Sequence, residues 1–117
     1  MKEDRISQRV EIELPAEFCF KDQPEARIQA TLVNISSHGF CFRTDAKHVD
    51  ALNEKPTVQL GIMISQEGKV ELEVKIAWVG KTSSYNCLAG GAILSTSGPE
   101  YQKMIDFYTK LFREQSS

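Results

Sequence analysis

The chain has 117 residues, 41% of them hydrophobic and 26% charged, which suits one compact domain with a buried core. Fourteen Lys+Arg against sixteen Asp+Glu leave a net charge of −2, so the cationic surplus that holds DNA by phosphate neutralisation is missing and DNA is not an expected partner. No apolar run approaches the ~20 residues of a membrane-spanning helix, so membrane insertion is not expected either.

The opening stretch from Met1 is polar rather than signal-like. Three cysteines, Cys19, Cys41 and Cys87, lack CxxC spacing and nearby histidines. Together these features predict a cytoplasmic protein with reduced thiols and no metal site.

Residues 1–9, MKEDRISQR, alternate charges and are expected to form a flexible arm. From Val10 the pattern changes. Val10, Ile12, Leu14, Ala16, Phe18 and Phe20 are apolar at period two, the signature of a half-buried strand, with Pro15 marking an edge or a bend. A polar turn around Pro24 separates this run from Ile28, Ala30 and Leu32, which predicts a hairpin.

The segment Asn34-Ile35-Ser36-Ser37-His38-Gly39 reads as a turn, after which Phe40 and Phe42 resume a strand. Asp45 to Leu52 is weakly helical at best. Val58 to Ile64 and Val70 to Trp78 alternate on either side of a Ser65–Gly68 turn, and Leu88 to Leu94 forms the last strand. Six closely spaced strands predict an antiparallel barrel or sandwich. The tail changes period: Tyr101, Met104, Ile105, Tyr108, Leu111 and Phe112 make one stripe of a helix over about 98–114, with Ser97 and Glu100 spaced as a capping box. That helix is expected to cover an open end of the barrel. Residues 10–117 thus form the domain.

Two short patterns carry chemistry. Arg5 and Arg9 stand four apart in the arm. Asn34-x-Ser36-x-x-Gly39 offers two short polar side chains at i and i+2, expected on the same face of a strand end, then a glycine free to take a positive φ or to let a ligand approach the backbone. From five arginines, RxxxR arises by chance about 0.2 times in a chain of this length, and the second pattern about 0.04 times. Their conjunction is the informative part.

In order and spacing, with 25 positions from Arg9 to Asn34, the two patterns resemble the PilZ domain, a bacterial receptor domain for cyclic di-GMP. Its hallmark is RxxxR followed by [D/N]xSxxG. The later strand with Trp78, and the glycine Gly91 before Ile93, are also similar to that family. The resemblance implies a six-stranded antiparallel β-barrel with a C-terminal α-helix, no catalysis and no cofactor. The implied ligand is cyclic di-GMP. Arg5 and Arg9 would wrap guanine and phosphate, Asn34 and Ser36 would hydrogen-bond the nucleotide, and Gly39 would shape the turn.

Arginine suits this ligand because it pairs bidentately with the O6/N7 edge of guanine, stacks on purines and binds phosphate. Trp78 reads either as a stacking surface for guanine or as a barrel residue. His38 and His48 read as isolated histidines, too few for a metal-dependent phosphodiesterase. The resemblance further implies signalling to a protein target in motility, pilus, polysaccharide or chemotaxis machinery. The alternative is a PilZ-like adaptor that does not bind nucleotide.

Overall fold

The computed structural model describes residues 10–65 and 68–116. The arm of residues 1–9, with Arg5 and Arg9, lies outside them. Six strands follow in chain order: β1 (Val10–Phe20), β2 (Ile28–Ile35), β3 (Gly39–Asp45), β4 (Thr57–Ser65), β5 (Gly68–Lys81) and β6 (Asn86–Ile93). A turn of 3-10 helix, Ala46–His48, and α1 (Val49–Glu54) separate β3 from β4, and α2 (Gly98–Ser116) ends the fold. The strands close into an antiparallel barrel in the order β1-β2-β3-β6-β5-β4.

Period-two alternation explains the barrel. Phe18, Leu32, Phe40, Phe42, Leu60, Leu72 and Val74 point inward and are essentially fully buried. The Phe18 and Phe42 rings stack with centroids 5.0 Å apart, and Phe42 stacks on Phe40 at 5.9 Å. α1 closes one end of the barrel through the buried Leu52. At the opposite end, α2 covers the opening with Met104 and Tyr108, both buried on the predicted stripe.

Local details sharpen several expectations. Pro15 sits inside β1, paired with Thr31 of β2, but the ladder to β4 begins only at Ala16. Its missing N–H therefore costs no bond on that side, and a register shift between Glu11 and Leu14 supplies the bend. The Asp45–Leu52 segment is more helical than its periodicity predicts. Asp45 accepts from the Lys47 N–H at 2.9 Å, and burial of Leu52 holds a helix too short to stand alone. The last strand runs from Asn86 to Ile93, one to two residues earlier than expected.

The capping box is replaced by a tertiary bond. The Glu100 carboxylate accepts from the Glu71 N–H of β5 at 2.9 Å, and the helix opens instead on Gly98 at φ 91°. Among the described residues, no helix is long and apolar enough to cross a membrane.

Candidate functional site

The turn between β2 and β3 is closed by its own motif. The Ser36 N–H donates to the Gly39 carbonyl at 3.0 Å, and the Gly39 N–H donates to Ser36 Oγ at 2.9 Å. Ser36 and Ser37 are buried, and Ser37 Oγ lies 2.9 Å from His38 Nδ1. Two further bonds pin the turn from outside. The Ile93 N–H donates to the His38 carbonyl at 2.9 Å, and the Tyr101 hydroxyl of α2 donates to the Ser37 carbonyl at 2.8 Å.

These contacts give Ser36 and Gly39 structural roles in the turn. β2 ends at Ile35, so strand alternation does not carry on to Ser36. Asn34 and Ser36 therefore do not share a strand face: Ser36 is 4% exposed and its hydroxyl serves the turn. Gly39 does not use a positive φ. Among the described residues Gly98 is the glycine that does.

Asn34 occupies a different setting. It pairs with Glu11 of β1 on one side and Cys41 of β3 on the other, and Cys41 pairs with Gly90 of β6, which pairs with Trp78 of β5. Cross-strand partners point to the same face, so Glu11, Asn34, Cys41, Gly90 and Trp78 form one outward row across five strands. Trp78 is 47% exposed and packs against Gly90: a Cβ there would fall 2.6 Å from its Cε2. Glycine is what lets the indole reach the barrel wall at this point. Gly91 is tighter still. A register shift between Ile76 and Trp78 brings the backbone of β5 close, so a Cβ on Gly91 would overlap the Lys75 carbonyl and fall 2.8 Å from the Ala77 nitrogen.

Beside that row runs an open groove of about 510 Å³, lined by Glu11, Glu13, Val33, Asn34, Arg43 and Leu88 among others. It meets a second groove of about 630 Å³ that continues toward Asp45 and Tyr85, and both include Glu13 and Arg43. Arg43, which no sequence motif marks, faces Glu13 at 3.6 Å. The signal that could have found it is positional: it follows Cys41 by two on β3 and so shares the outward face of Asn34.

The other main charge cluster lies across the barrel and is structural. Arg27 bonds Glu17 at 3.0 Å, Glu71 at 2.9 Å and Cys19 Sγ at 3.2 Å, while Lys69 bonds Glu17 at 2.8 Å. The Lys69 hydrogen bond, aided by Arg27 against the cost of burial, holds the Glu17 carboxyl below its usual range. His48 is pushed down by burial, and the Lys47 charge adds to this while Asp45 opposes it. Its ring meets that of Phe18 edge-on at 6.1 Å. The three cysteines are buried and form no disulfide with one another. Among the described residues no cluster of three or more His, Cys, Asp or Glu side chains is placed to hold a metal ion.

Comparison with known proteins follows the same outline. The family model described as PilZ domain matches residues 3–110. No curated protein sequence matches. Among solved structures, the inhibitor of motility MotI/DgrA of Bacillus subtilis superposes with a TM-score of 0.68 at 15% identity, covering 100% of this chain and 53% of that one. The PlzA protein of Borreliella burgdorferi in complex with c-di-GMP gives 0.67 at 12% identity, covering 93% and 50%. The PilZ domain of YcgR from Escherichia coli, also with c-di-GMP, gives 0.64 at 11% identity and covers 97% and 95%. The chain spans about half the length of MotI/DgrA and PlzA, and nearly all of the YcgR domain.

Proposed function

The chain belongs to the PilZ domain family, and from that premise we propose that it is a cytoplasmic receptor for cyclic di-GMP that performs no catalysis and signals to a protein partner. The observation that carries the reading is the placement of Asn34. Among the described motif residues Asn34, Ser36 and Gly39, Asn34 is the one that faces outward, standing on a groove rim in the same cross-strand row as Trp78. Its amide supplies donors and an acceptor for a guanine edge or a phosphate oxygen, and the indole offers a face on which a purine can stack. Ser36 and Gly39 contribute by holding the turn that presents Asn34. Arg5 and Arg9, in the arm that leads directly into β1, supply the guanidinium groups for guanine and phosphate. Two of the solved neighbours carry c-di-GMP, which favours the same ligand here.

Titration calorimetry with cyclic di-GMP, run beside cyclic di-AMP and GTP, tests this. The expected result is binding of cyclic di-GMP in preference to cyclic di-AMP, because adenine presents an amino donor where guanine presents the O6 acceptor. The ligand should be recovered unchanged afterwards. Equal binding of both dinucleotides removes the guanine-recognition argument, and hydrolysed ligand removes the receptor reading. One observation favours a second reading, an adaptor that binds no nucleotide: Glu11 and Glu13 give the groove two carboxylates, which oppose an anionic ligand. Absence of any binding heat would select it.

A further inference from the structure

We propose that Arg43 is a ligand-contacting residue of the groove, neutralising a phosphodiester of the bound nucleotide; this rests on the receptor reading above. The charge around it makes the case. Glu11 and Glu13 line the first groove, and Glu13 and Asp45 line the second. Among the described residues lining either groove, Arg43 is the cation. Apart from it, the charged side chains among the described lining residues are carboxylates, which oppose a dianion seated against Asn34.

The geometry leaves Arg43 available for this. It sits at the junction of the two grooves, paired across the strands with Thr31 on one side and Leu88 on the other. Its ion pair with Glu13 is 3.6 Å long, beyond hydrogen-bonding distance, with the two side chains 37% and 71% exposed. Such a pair contributes little and exchanges readily for a better partner. Arg27 is the contrast, tied by short bonds to Glu17, Glu71 and Cys19. A ligand with two bases flanking a doubly charged ring, one base near Asn34 and the other in the second groove, brings its phosphate to the junction that Arg43 occupies. Contact with phosphate needs charge rather than the planar fork, so lysine should substitute here.

The test is titration with cyclic di-GMP on wild type, Arg43→Ala, Arg43→Lys and Glu13→Gln, each with a urea melt. Arg43→Ala should bind at least about tenfold more weakly, the loss of one charge-assisted hydrogen bond. Its unfolding midpoint should match wild type, since it gives up only a loose surface pair. Arg43→Lys should stay within about threefold of wild type. Glu13→Gln should bind more tightly, because it frees Arg43 and removes a repelling charge. If Arg43→Ala binds as wild type does, or Arg43→Lys is as weak as Arg43→Ala, or Glu13→Gln binds more weakly, the inference is overturned while the receptor reading stands. Failure of wild type itself to bind overturns both.

Discussion

The hydroxyl of Tyr101 donates to the carbonyl oxygen of Ser37 at 2.8 Å, joining the first turns of α2 to the middle of the Asn34–Gly39 motif. Helix and motif turn are thus one hydrogen-bonded unit, although 64 positions separate the two residues in sequence. Burial raises the Tyr101 pKa, so the hydroxyl stays protonated and donating at neutral pH.

Tyr101→Phe removes that donor and leaves the buried Ser37 carbonyl without it. The expected cost is about 1 kcal/mol, read as a lower urea midpoint with an unchanged slope. Amide exchange should also quicken at both the turn and the start of α2. Quickening at only one of the two would show that they open independently.

The two adjacent glycines of β6 should respond differently to the same substitution. Gly91→Ala drives a methyl into the backbone of β5, where neither strand can yield, so a loss of more than about 3 kcal/mol or outright misfolding is expected. The atoms nearest a new methyl in Gly90→Ala belong to the Trp78 ring, which is half exposed and can swing away. It should fold with a modest loss but shift the fluorescence of Trp78, the chain's single tryptophan, toward that of a solvated indole. Urea melts and emission spectra on both variants decide this.

Stability should fall on acidification in two stages. The folded chain holds His48 below its ordinary value of 6.5, so the unfolded chain takes up that proton first and stability declines as pH drops below 6.5. Glu17 is held below 4.5 by Lys69 and Arg27. Its contribution is present above 4.5 and is lost as pH falls through the lower folded value. Urea midpoints measured from neutral pH to below 4.5 should show both stages, with His48→Gln flattening the upper and Glu17→Gln the lower.

Arg9→Ala should weaken cyclic di-GMP binding by about 10- to 150-fold, the worth of a charge-assisted hydrogen bond, and change stability by only about ±0.5 kcal/mol. Arg9→Lys should recover little of that loss, because a guanine edge needs two parallel donors. Calorimetry on the three proteins checks it. Full rescue by lysine would show that this position reads charge alone.

What was legible in the sequence was whatever depends on periodicity. The alternations of β1, β4 and β5 and the three-and-four-residue stripe of α2 set which side chains meet the core, and Phe18, Leu60, Val74 and Met104 are buried as their spacing requires. What was not legible depends on long-range register or on a single tertiary bond. The row from Asn34 to Trp78 exists because four strand pairings, some with register shifts, align those residues. Arg43 reaches the groove for the same reason. The Ser36 hydroxyl looked free for a ligand because its acceptor role toward the Gly39 N–H appears only once the turn closes. Glu100 left its expected capping role because β5 presents the Glu71 N–H to it.

Closure of the barrel also governs how another protein can engage it. With β4 bonded to β1 over Ala16–Phe20, the barrel closes and each described strand has a neighbour on both sides along part of its length. Only short stretches of backbone, such as Val10–Pro15 on the β4 side of β1, therefore lie outside a ladder where a partner could add a strand of its own. Recognition then rests mainly on side chains: their shape, their charge and the groups that cover them. A small dianion settling on one face alters all three together, whereas it would leave a backbone-paired contact almost untouched. The same closure leaves neighbouring copies only a short template for strand-on-strand association, so the protein is expected to stay dispersed at concentrations where open sheets begin to aggregate.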